Sequence, residues 1–173
     1  MSDQRVLITQ GQQAVGSDPD MVISTLLGSC VSCCLWDPDA GVGGMNHMLL
    51  TSGSDASGVA NFAGVNAMEL LINEILKQGG QRNRLRAKAF GGARMVAGLS
   101  EIGKQNSAFI LKFLEQEGIV CEGHSLGGET ARQLRFWPAT GRVMQKVRSE
   151  SVVEEKVADV KAPTTKGNDL ELF

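Results

Sequence analysis

The sequence predicts a layered fold that combines strands and helices, in the α+β or mixed α/β class. Short apolar segments with the character of strands stand before, between and after two segments with helical periodicity. This interleaving is typical of helices packed on sheets and argues against a helical bundle or a pure β-sandwich. Pairs of glycines stand at the ends of several segments, which indicates turns between many short elements.

The helices and strands can be placed along the chain from their apolar patterns. Residues 61–77 and 100–117 are predicted helices, because apolar side chains recur there at intervals of three and four residues. Residues 21–27 are apolar almost without interruption, which predicts a strand buried on both faces. The other predicted strands are short apolar runs that end at turn residues: 6–9, 31–36, 42–50, 85–90, 119–126, 132–137 and 142–146.

The chain has 173 residues, a length typical of one domain with a buried core. We predict a single domain over residues 1–148 and a flexible polar tail over residues 149–173, where large apolar residues become rare. Residues 169–173 mix acidic and apolar side chains. That pattern is compatible with a docking peptide, but an unstructured end is the favoured interpretation.

Charge and composition argue against several classes of function. The net charge is −2 and the pI is near 5.7, so a polyanion partner such as nucleic acid is not expected. Basic residues gather at 82–88 without interleaved aromatic residues, which favours a solvated strand edge. No stretch of about 18 apolar residues is present, so no membrane span is expected. The clustered cysteines and the lack of a secretory leader pattern predict reduced thiols in a cytoplasmic protein.

Cys30 and His47 are the strongest candidates for chemistry. Cys30 ends a strand-like segment in Gly-Ser-Cys, and His47 is one of the 2 histidines of the chain. A turn at residues 37–41 would fold the flanking strands into a hairpin and bring the two side chains together. A thiol becomes a strong nucleophile as the thiolate, and a neighbouring imidazole can accept its proton. The simpler alternative is a structural thiol and a hydrogen-bonded core histidine.

The other cysteines leave two alternatives open. Cys30 and Cys33 have the spacing of a redox pair, although that use favours a helix N-terminus over a strand. A zinc ion would need further ligands, for which only the histidines and Cys121 remain. Cys33 and Cys34 are better explained as small strand residues that face opposite sides of a sheet. We therefore expect neither a metal ion nor a cofactor.

Six short motifs follow one another along the chain. They are Leu-Gly-Ser-Cys at 27–30, Gly-Met-Asn-His at 44–47, Phe-Gly-Gly-Ala at 90–93, Ile-Gly-Lys-Gln-Asn at 102–106, Gly-Gly at 127–128 and Pro-Ala-Thr-Gly-Arg-Val at 138–143. This ordered set resembles the CheD family of chemoreceptor glutamine deamidases. The resemblance implies an α+β fold with two packed mixed β-sheets flanked by helices. This layered, cysteine-hydrolase-like fold is similar to the catalytic domains of deamidating toxins.

The resemblance also implies an activity. CheD-like proteins hydrolyse the side-chain amide of specific glutamines on methyl-accepting chemotaxis receptors to glutamate and ammonia, and some members also act as methylesterases. The expected mechanism is nucleophilic attack by the cysteine, with a thioester intermediate. Backbone N–H groups at the corner formed by Gly28 and Ser29 are the expected donors to the oxyanion.

The family's catalytic residues can be carried over by position. Its cysteine and histidine correspond to Cys30 and His47. The family places a threonine six residues before the cysteine, and Ser24 stands there in this chain. Ser24 is therefore the expected third member, since a serine hydroxyl can make the same hydrogen bond to an imidazole. Thr25 is the alternative, and it would require a strand register shifted by one residue.

Two kinds of partner follow from the resemblance. The first is the cytoplasmic helices of chemoreceptors, which carry the substrate glutamines. The second is a CheC-type phosphatase, which in this family competes with receptors for the same surface. An alternative function is that of a non-catalytic chemotaxis adaptor that binds receptors or CheC without turnover.

Overall fold

The computed structural model describes residues 4–50, 59–95, 100–147 and 170–173. Within these residues the helices are α1 (Val59–Lys77) and α2 (Ser100–Gln116). The strands are β1 (Gln4–Leu7), β2 (Gln13–Gly16), β3 (Met21–Leu27), β4 (Val31–Asp37), β5 (Val42–Asn46), β6 (Arg86–Gly91), β7 (Val120–Leu126), β8 (Arg132–Trp137), β9 (Arg142–Val147) and β10 (Leu170–Leu172). Neither described helix combines the length and apolarity that a membrane crossing needs.

The strands form two five-stranded sheets, which we call sheet A and sheet B. Sheet A has the strand order β1-β3-β8-β9-β10, and sheet B has the order β2-β5-β4-β6-β7. Both sheets are mixed, because β1 pairs with β3 and β6 with β7 in parallel while the other neighbours are antiparallel. The predicted α+β class with two packed mixed sheets and flanking helices is confirmed.

Buried side chains form two clusters that define the layers of the molecule. The first lies between the sheets and joins residues of β3, β8 and β9 to residues of β4, β5 and β6. Its members include Ile23, Leu27, Cys34, Met45, Phe90, Leu134 and Phe136. The second cluster joins sheet B to both helices and includes Cys33, Leu35, Leu71, Ile72, Ile75 and Ile110. Sheet B is therefore covered on both faces, and the two clusters place Cys33 and Cys34 on opposite faces, as predicted.

The prediction that residues 21–27 are buried on both faces is wrong. Leu26 of β3 is 52% exposed, because it points to the outer face of sheet A. The strands buried at every position are β4 and β5, which are neighbours in sheet B and lie between the inter-sheet core and the helices. The apolar run at residues 21–27 therefore predicts a strand correctly, but not its burial, because the outer face of sheet A leaves Leu26 exposed.

Two strands were not predicted. One is β2, which pairs with β5 at the edge of sheet B. The other is β10, which pairs antiparallel with β9 at the edge of sheet A. The Phe173 ring that follows β10 stands edge-on to the Phe90 ring at 5.1 Å between centroids. Residues 170–173 are thus part of the sheet rather than of a free tail, while residues 148–169 lie outside the described residues.

Candidate active site

The register of sheet B brings Cys30 and His47 to one corner of the molecule. The antiparallel pairing of β4 and β5 extends past the end of β5 to a bridge between Val31, the first residue of β4, and Met48, whose backbone N–H groups and carbonyl oxygens bond at 3.0 and 2.7 Å. Cys30 and His47 directly precede the two bridged residues, so they are diagonal neighbours across the pair. Diagonal neighbours have Cα atoms about 7–8 Å apart, within reach of long side chains.

Both side chains belong to the face of sheet B that looks toward sheet A. Cys34 and Met45 pair directly and lie in the inter-sheet core. Because side chains alternate along a strand, positions two and four residues away share that face. Cys30 accordingly packs against the inter-sheet core at its edge and stays partly accessible, whereas His47 is buried.

Thr25 supplies the contact from the opposite sheet. Its Oγ1 lies 2.7 Å from Nδ1 of His47 and 2.7 Å from the carbonyl oxygen of Ile8. A carbonyl oxygen only accepts, so the single hydroxyl hydrogen of Thr25 is donated to Ile8. The hydroxyl oxygen must then accept a hydrogen bond from Nδ1–H. This assigns the His47 tautomer with hydrogen on Nδ1 and leaves Nε2 as an unprotonated base.

The structure gives the imidazole contact to Thr25 and not to Ser24, so the preference for Ser24 is corrected. Thr25 is buried on the inner face of β3, which it shares with Ile23 and Leu27. Ser24 points to the opposite face, together with the exposed Leu26. Successive side chains of a strand point to opposite faces, so only one of the two hydroxyls can reach His47. The alternative with Thr25 as the third residue is the one that the geometry favours.

The His47 backbone is held by a loop that the sequence analysis did not single out. The N–H of Gly11 donates to the His47 carbonyl at 2.9 Å, and the His47 N–H donates to the Gln12 carbonyl at 3.1 Å. These two bonds continue the pairing of β2 with β5 beyond the end of the strands. The imidazole is therefore fixed by its backbone from one side and by Thr25 from the other.

The corner that carries Cys30 is anchored through three successive carbonyl groups. The Gly28 carbonyl accepts from the Ala93 N–H at 2.9 Å, and the Cys30 carbonyl accepts from the Gly92 N–H at 2.8 Å. Between them, the Ser29 carbonyl accepts from Nδ2 of Asn106 at 2.9 Å. The anchors come from the segment after β6 and from α2, so the corner is fixed to two other elements.

Close approach of this segment requires glycine. Gly91 has φ +112° and Gly92 has φ +68°, and a Cβ at Gly91 would overlap the carbonyl oxygen of Cys30. From the sequence alone, the glycine pair at 91–92 is explained by a tight turn. In the structure its function is to let backbone N–H groups reach the Cys30 corner.

The same anchoring orients the N–H groups of the corner. The described residues contain no cis peptide bond, and in a trans peptide group the carbonyl and the N–H point in opposite directions. Since the carbonyls of Gly28 and Ser29 point to their anchors, the N–H groups of Ser29 and Cys30 point away from them. Neither N–H donates to any partner among the described residues. Within the described part of the chain, this arrangement leaves two N–H donors of the corner unpaired, as an oxyanion site requires.

Burial sets the resting charges of the pair. It raises the pKa of the Cys30 thiol above its ordinary value of 9.0 and lowers the pKa of His47 below its ordinary value of 6.5. Both shifts disfavour the charged form. Both directions favour a neutral thiol and a neutral imidazole at rest over a thiolate and imidazolium ion pair.

The other cysteines lie away from this corner. Cys33 is buried against the helices on the face of β4 opposite to Cys30 and Cys34, and all four cysteines are free thiols. A disulfide between Cys30 and Cys33 would require side chains that point apart to meet. The described residues also contain no cluster of three or more histidine, cysteine or acidic side chains arranged to hold a metal ion.

Comparisons with known proteins show the family to which the chain belongs. A family model described as CheD chemotactic sensory transduction matches residues 48–147. A protein of Agrobacterium fabrum named probable chemoreceptor glutamine deamidase CheD is 49% identical over 98% of this chain and 96% of its own length. A protein of the same name from Rhizobium meliloti is 54% identical over 82% and 79%. The solved structure of Neisseria meningitidis protein NMB0706 aligns with a TM-score of 0.44 and 12% identity, covering 74% of this chain and 64% of that chain. The chain belongs to the CheD family.

Proposed function

We propose that this chain hydrolyses the side-chain amide of specific glutamines on methyl-accepting chemoreceptors, with Cys30 as nucleophile and His47 as base. The names of its relatives supply the reaction class and the type of substrate. One observation supports the assignment of the residues more than any other. The Thr25 hydroxyl holds Nδ1–H of His47, which leaves Nε2 free to accept a proton in the corner that contains Cys30.

The first step forms the covalent intermediate. As Sγ of Cys30 attacks the amide carbon, its proton moves to Nε2 of His47 and a carbon–sulfur bond forms. The carbonyl electron pair moves onto the oxygen, which the N–H groups of Ser29 and Cys30 receive. Loss of one donor of this kind typically lowers kcat by about 10²–10³-fold. Proton transfer at the moment of attack suits a pair that is neutral at rest.

The second step releases ammonia and regenerates the thiol. The imidazolium of His47 gives its proton to the amide nitrogen, the carbon–nitrogen bond breaks and a thioester remains. Water then attacks the thioester while His47 accepts its proton, and the thiolate of Cys30 leaves and is reprotonated. The balance is one glutamine and one water consumed, with one glutamate and one ammonia formed. The same sequence applied to a glutamyl methyl ester would release methanol.

Thr25 acts on the ring in both steps. Nδ1–H keeps donating to the Thr25 hydroxyl when Nε2 becomes protonated, so the imidazolium has a partner in a buried site. A neutral hydroxyl stabilises the cation less than a carboxylate would. Its main effect is therefore to fix the tautomer and the ring orientation.

The substrate is proposed to be a helix of the receptor's cytoplasmic region that enters beside the corner. Amphipathic helices bind through apolar anchors, and two partly exposed apolar side chains lie near the corner. Leu49 stands opposite Cys30 in the register and is 37% exposed, while Met95 lies over Gly28 and is 38% exposed. A CheC-type phosphatase that covers the same corner remains a prediction, tested by competition for receptor binding.

Intact-mass spectrometry of a receptor cytoplasmic fragment tests the proposal. Incubation with the wild-type chain should replace amide NH₂ by OH at defined glutamines and release an equal amount of ammonia. Cys30→Ala should bind the fragment without changing its mass. Binding of the fragment by the wild-type chain with no mass change and no ammonia would instead support the adaptor function.

A further inference from the structure

We infer that Asn106 is a positioning residue for the oxyanion site, because its side chain fixes the peptide group that carries the Cys30 N–H. The inference rests on the proposed function, since an oxyanion site matters only if the thiol attacks a carbonyl carbon. Asn106 lies on α2, remote in sequence from both Cys30 and His47. The inference adds it to the residues that support the proposed reaction.

The Asn106 side chain is fully buried and both ends of its amide have a partner. Nδ2 donates to the Ser29 carbonyl at 2.9 Å, and Oδ1 accepts from the Leu50 N–H at 3.1 Å. A carbonyl requires a donor and an N–H requires an acceptor, so these partners fix which end of the amide is nitrogen. The residue thus connects the nucleophile corner with the segment that follows His47.

Control of one peptide plane follows from these contacts. The Ser29 carbonyl and the Cys30 N–H belong to the same planar group and point in opposite directions. While Asn106 holds the carbonyl, the Cys30 N–H points away from Asn106, and the proposed oxyanion lies on that side. If that peptide rotated, the carbonyl oxygen would face the developing oxyanion and repel it.

Asn106 is the one side chain among the three anchors of the corner. The carbonyls of Gly28 and Cys30 are held by backbone N–H groups of Ala93 and Gly92, which a substitution does not remove. The Ser29 carbonyl depends on a side chain and can be released by mutation.

The position of α2 is set by another close contact. A Cβ at Gly103 would lie 2.5 Å from the carbonyl oxygens of both Gly92 and Ala93. That distance is too short for a real side chain, so glycine is needed for α2 to approach the segment after β6. Asn106 lies one turn along the same helix, which brings its short amide within reach of the corner.

Asn106→Asp separates positioning from simple loss of structure. Aspartate has the same shape and can still accept from the Leu50 N–H, but it presents an oxygen to the Ser29 carbonyl where the amide presented a donor. Two rates should be measured on the full chain. One is kcat for deamidation of the receptor fragment, which passes through an oxyanion. The other is the rate of Cys30 alkylation by iodoacetamide, located by peptide mapping, which forms no oxyanion.

We expect kcat of Asn106→Asp to fall by about 10²-fold, with KM and the alkylation rate within about threefold of wild type. If Asn106→Asp does not fold, Asn106→Ala removes the donor without adding a buried charge. Its kcat and its alkylation rate are then compared with those of the wild type in the same way. Ile110→Val, in the same helix but without a polar contact to the corner, is the control for a loosened core and should leave both rates near wild type.

Three outcomes would each refute either the role of Asn106 or the proposed function. Wild-type kcat in the Asn106 variants would refute the positioning role and leave the proposed function intact. An equal fall in deamidation and in alkylation would mean that Asn106 only holds the fold together. A wild-type chain that is alkylated normally but never deamidates the receptor fragment would refute the proposed function itself.

Discussion

The Thr25 hydroxyl lies 2.7 Å from Nδ1 of His47 and joins the two sheets at the candidate site. Thr25 belongs to sheet A, while His47 directly follows a strand of sheet B. The hydroxyl is also bonded to the Ile8 carbonyl, so its hydrogen is committed and its oxygen can only accept. The packing of the two sheets therefore determines the tautomer of the His47 imidazole.

Removing the Thr25 hydroxyl should slow the reaction. Thr25→Val keeps the shape of the side chain but leaves the buried Nδ1–H without an acceptor, a loss of about 1–3 kcal/mol. We expect kcat for receptor deamidation to fall by about 10- to 100-fold, and Thr25→Ser to recover most of it. Ser24→Ala is the matched control on the neighbouring position. A larger loss in Ser24→Ala than in Thr25→Val would contradict the assignment of Thr25.

Cys33 should be dispensable for the chemistry. Its thiol is fully buried on the helix side of β4, so it cannot exchange disulfides with Cys30 without movement of the strand. Cys33→Ala should keep kcat within about twofold and cost roughly 1 kcal/mol of unfolding free energy, since it removes one buried sulfur. Stopped-flow or discontinuous ammonia assays under reducing conditions would measure this. Abolished deamidation in a folded Cys33→Ala variant would favour the redox alternative.

The pH dependence follows from burial of both groups. Burial lowers the pKa of His47 below 6.5, so the decline of kcat/KM on the acid side should have its midpoint below pH 6.5. The pKa of Cys30 is raised above 9.0, so alkylation by iodoacetamide should increase with a midpoint above pH 9. Rapid alkylation already saturated at pH 7 would indicate a resting ion pair instead.

The same His47 shift affects stability. A neutral histidine with a lowered folded pKa stabilises the fold fully above its unfolded pKa near 6.5, and this contribution is lost as pH falls through the folded value. Urea unfolding of the wild type between pH 7 and pH 5 should therefore show decreasing stability, and His47→Asn should flatten that decrease. An unchanged slope in His47→Asn would mean that another group titrates.

The C-terminal strand should contribute to stability and not to catalysis. The Phe173 ring packs edge-on against the fully buried Phe90 ring, while the neighbouring Leu172 is 65% exposed. Phe173→Ala should cost about 1–2 kcal/mol, less than the 3–5 kcal/mol typical of a fully buried phenylalanine. Leu172→Ala should stay within about 0.5 kcal/mol. Thermal unfolding of both variants would measure the difference, and equal melting temperatures would show that Phe173 contributes nothing.

Much of the fold could be predicted from local patterns. Both helices were predicted to within two residues at each end, because their apolar faces repeat with the helical period. The strand β2 (Gln13–Gly16) was missed, since its four residues are short and only partly buried and so carry no clear alternation. The strand β10 was missed because its pairing with β9 depends on a contact across a long polar segment.

Only part of the candidate site could be predicted from the sequence. β4 and β5 pair as the predicted hairpin, because the short turn between them fixes an antiparallel register. The preference for Ser24 over Thr25 is reversed by the geometry, since the contact to His47 depends on which face of β3 meets the other sheet. The contact of Asn106 with Ser29 joins residues far apart in the chain, and no local pattern reports such a pair.

The most direct test of the account is a mutant cycle on kcat/KM for receptor deamidation with Cys30→Ala, His47→Ala and the double variant. If the thiol and the imidazole act as one unit, each single variant should lose activity by about 10³-fold or more, and the double variant should be no worse than either. Losses that multiply in the double variant, or a His47→Ala enzyme close to wild type, would contradict the pairing of these two residues.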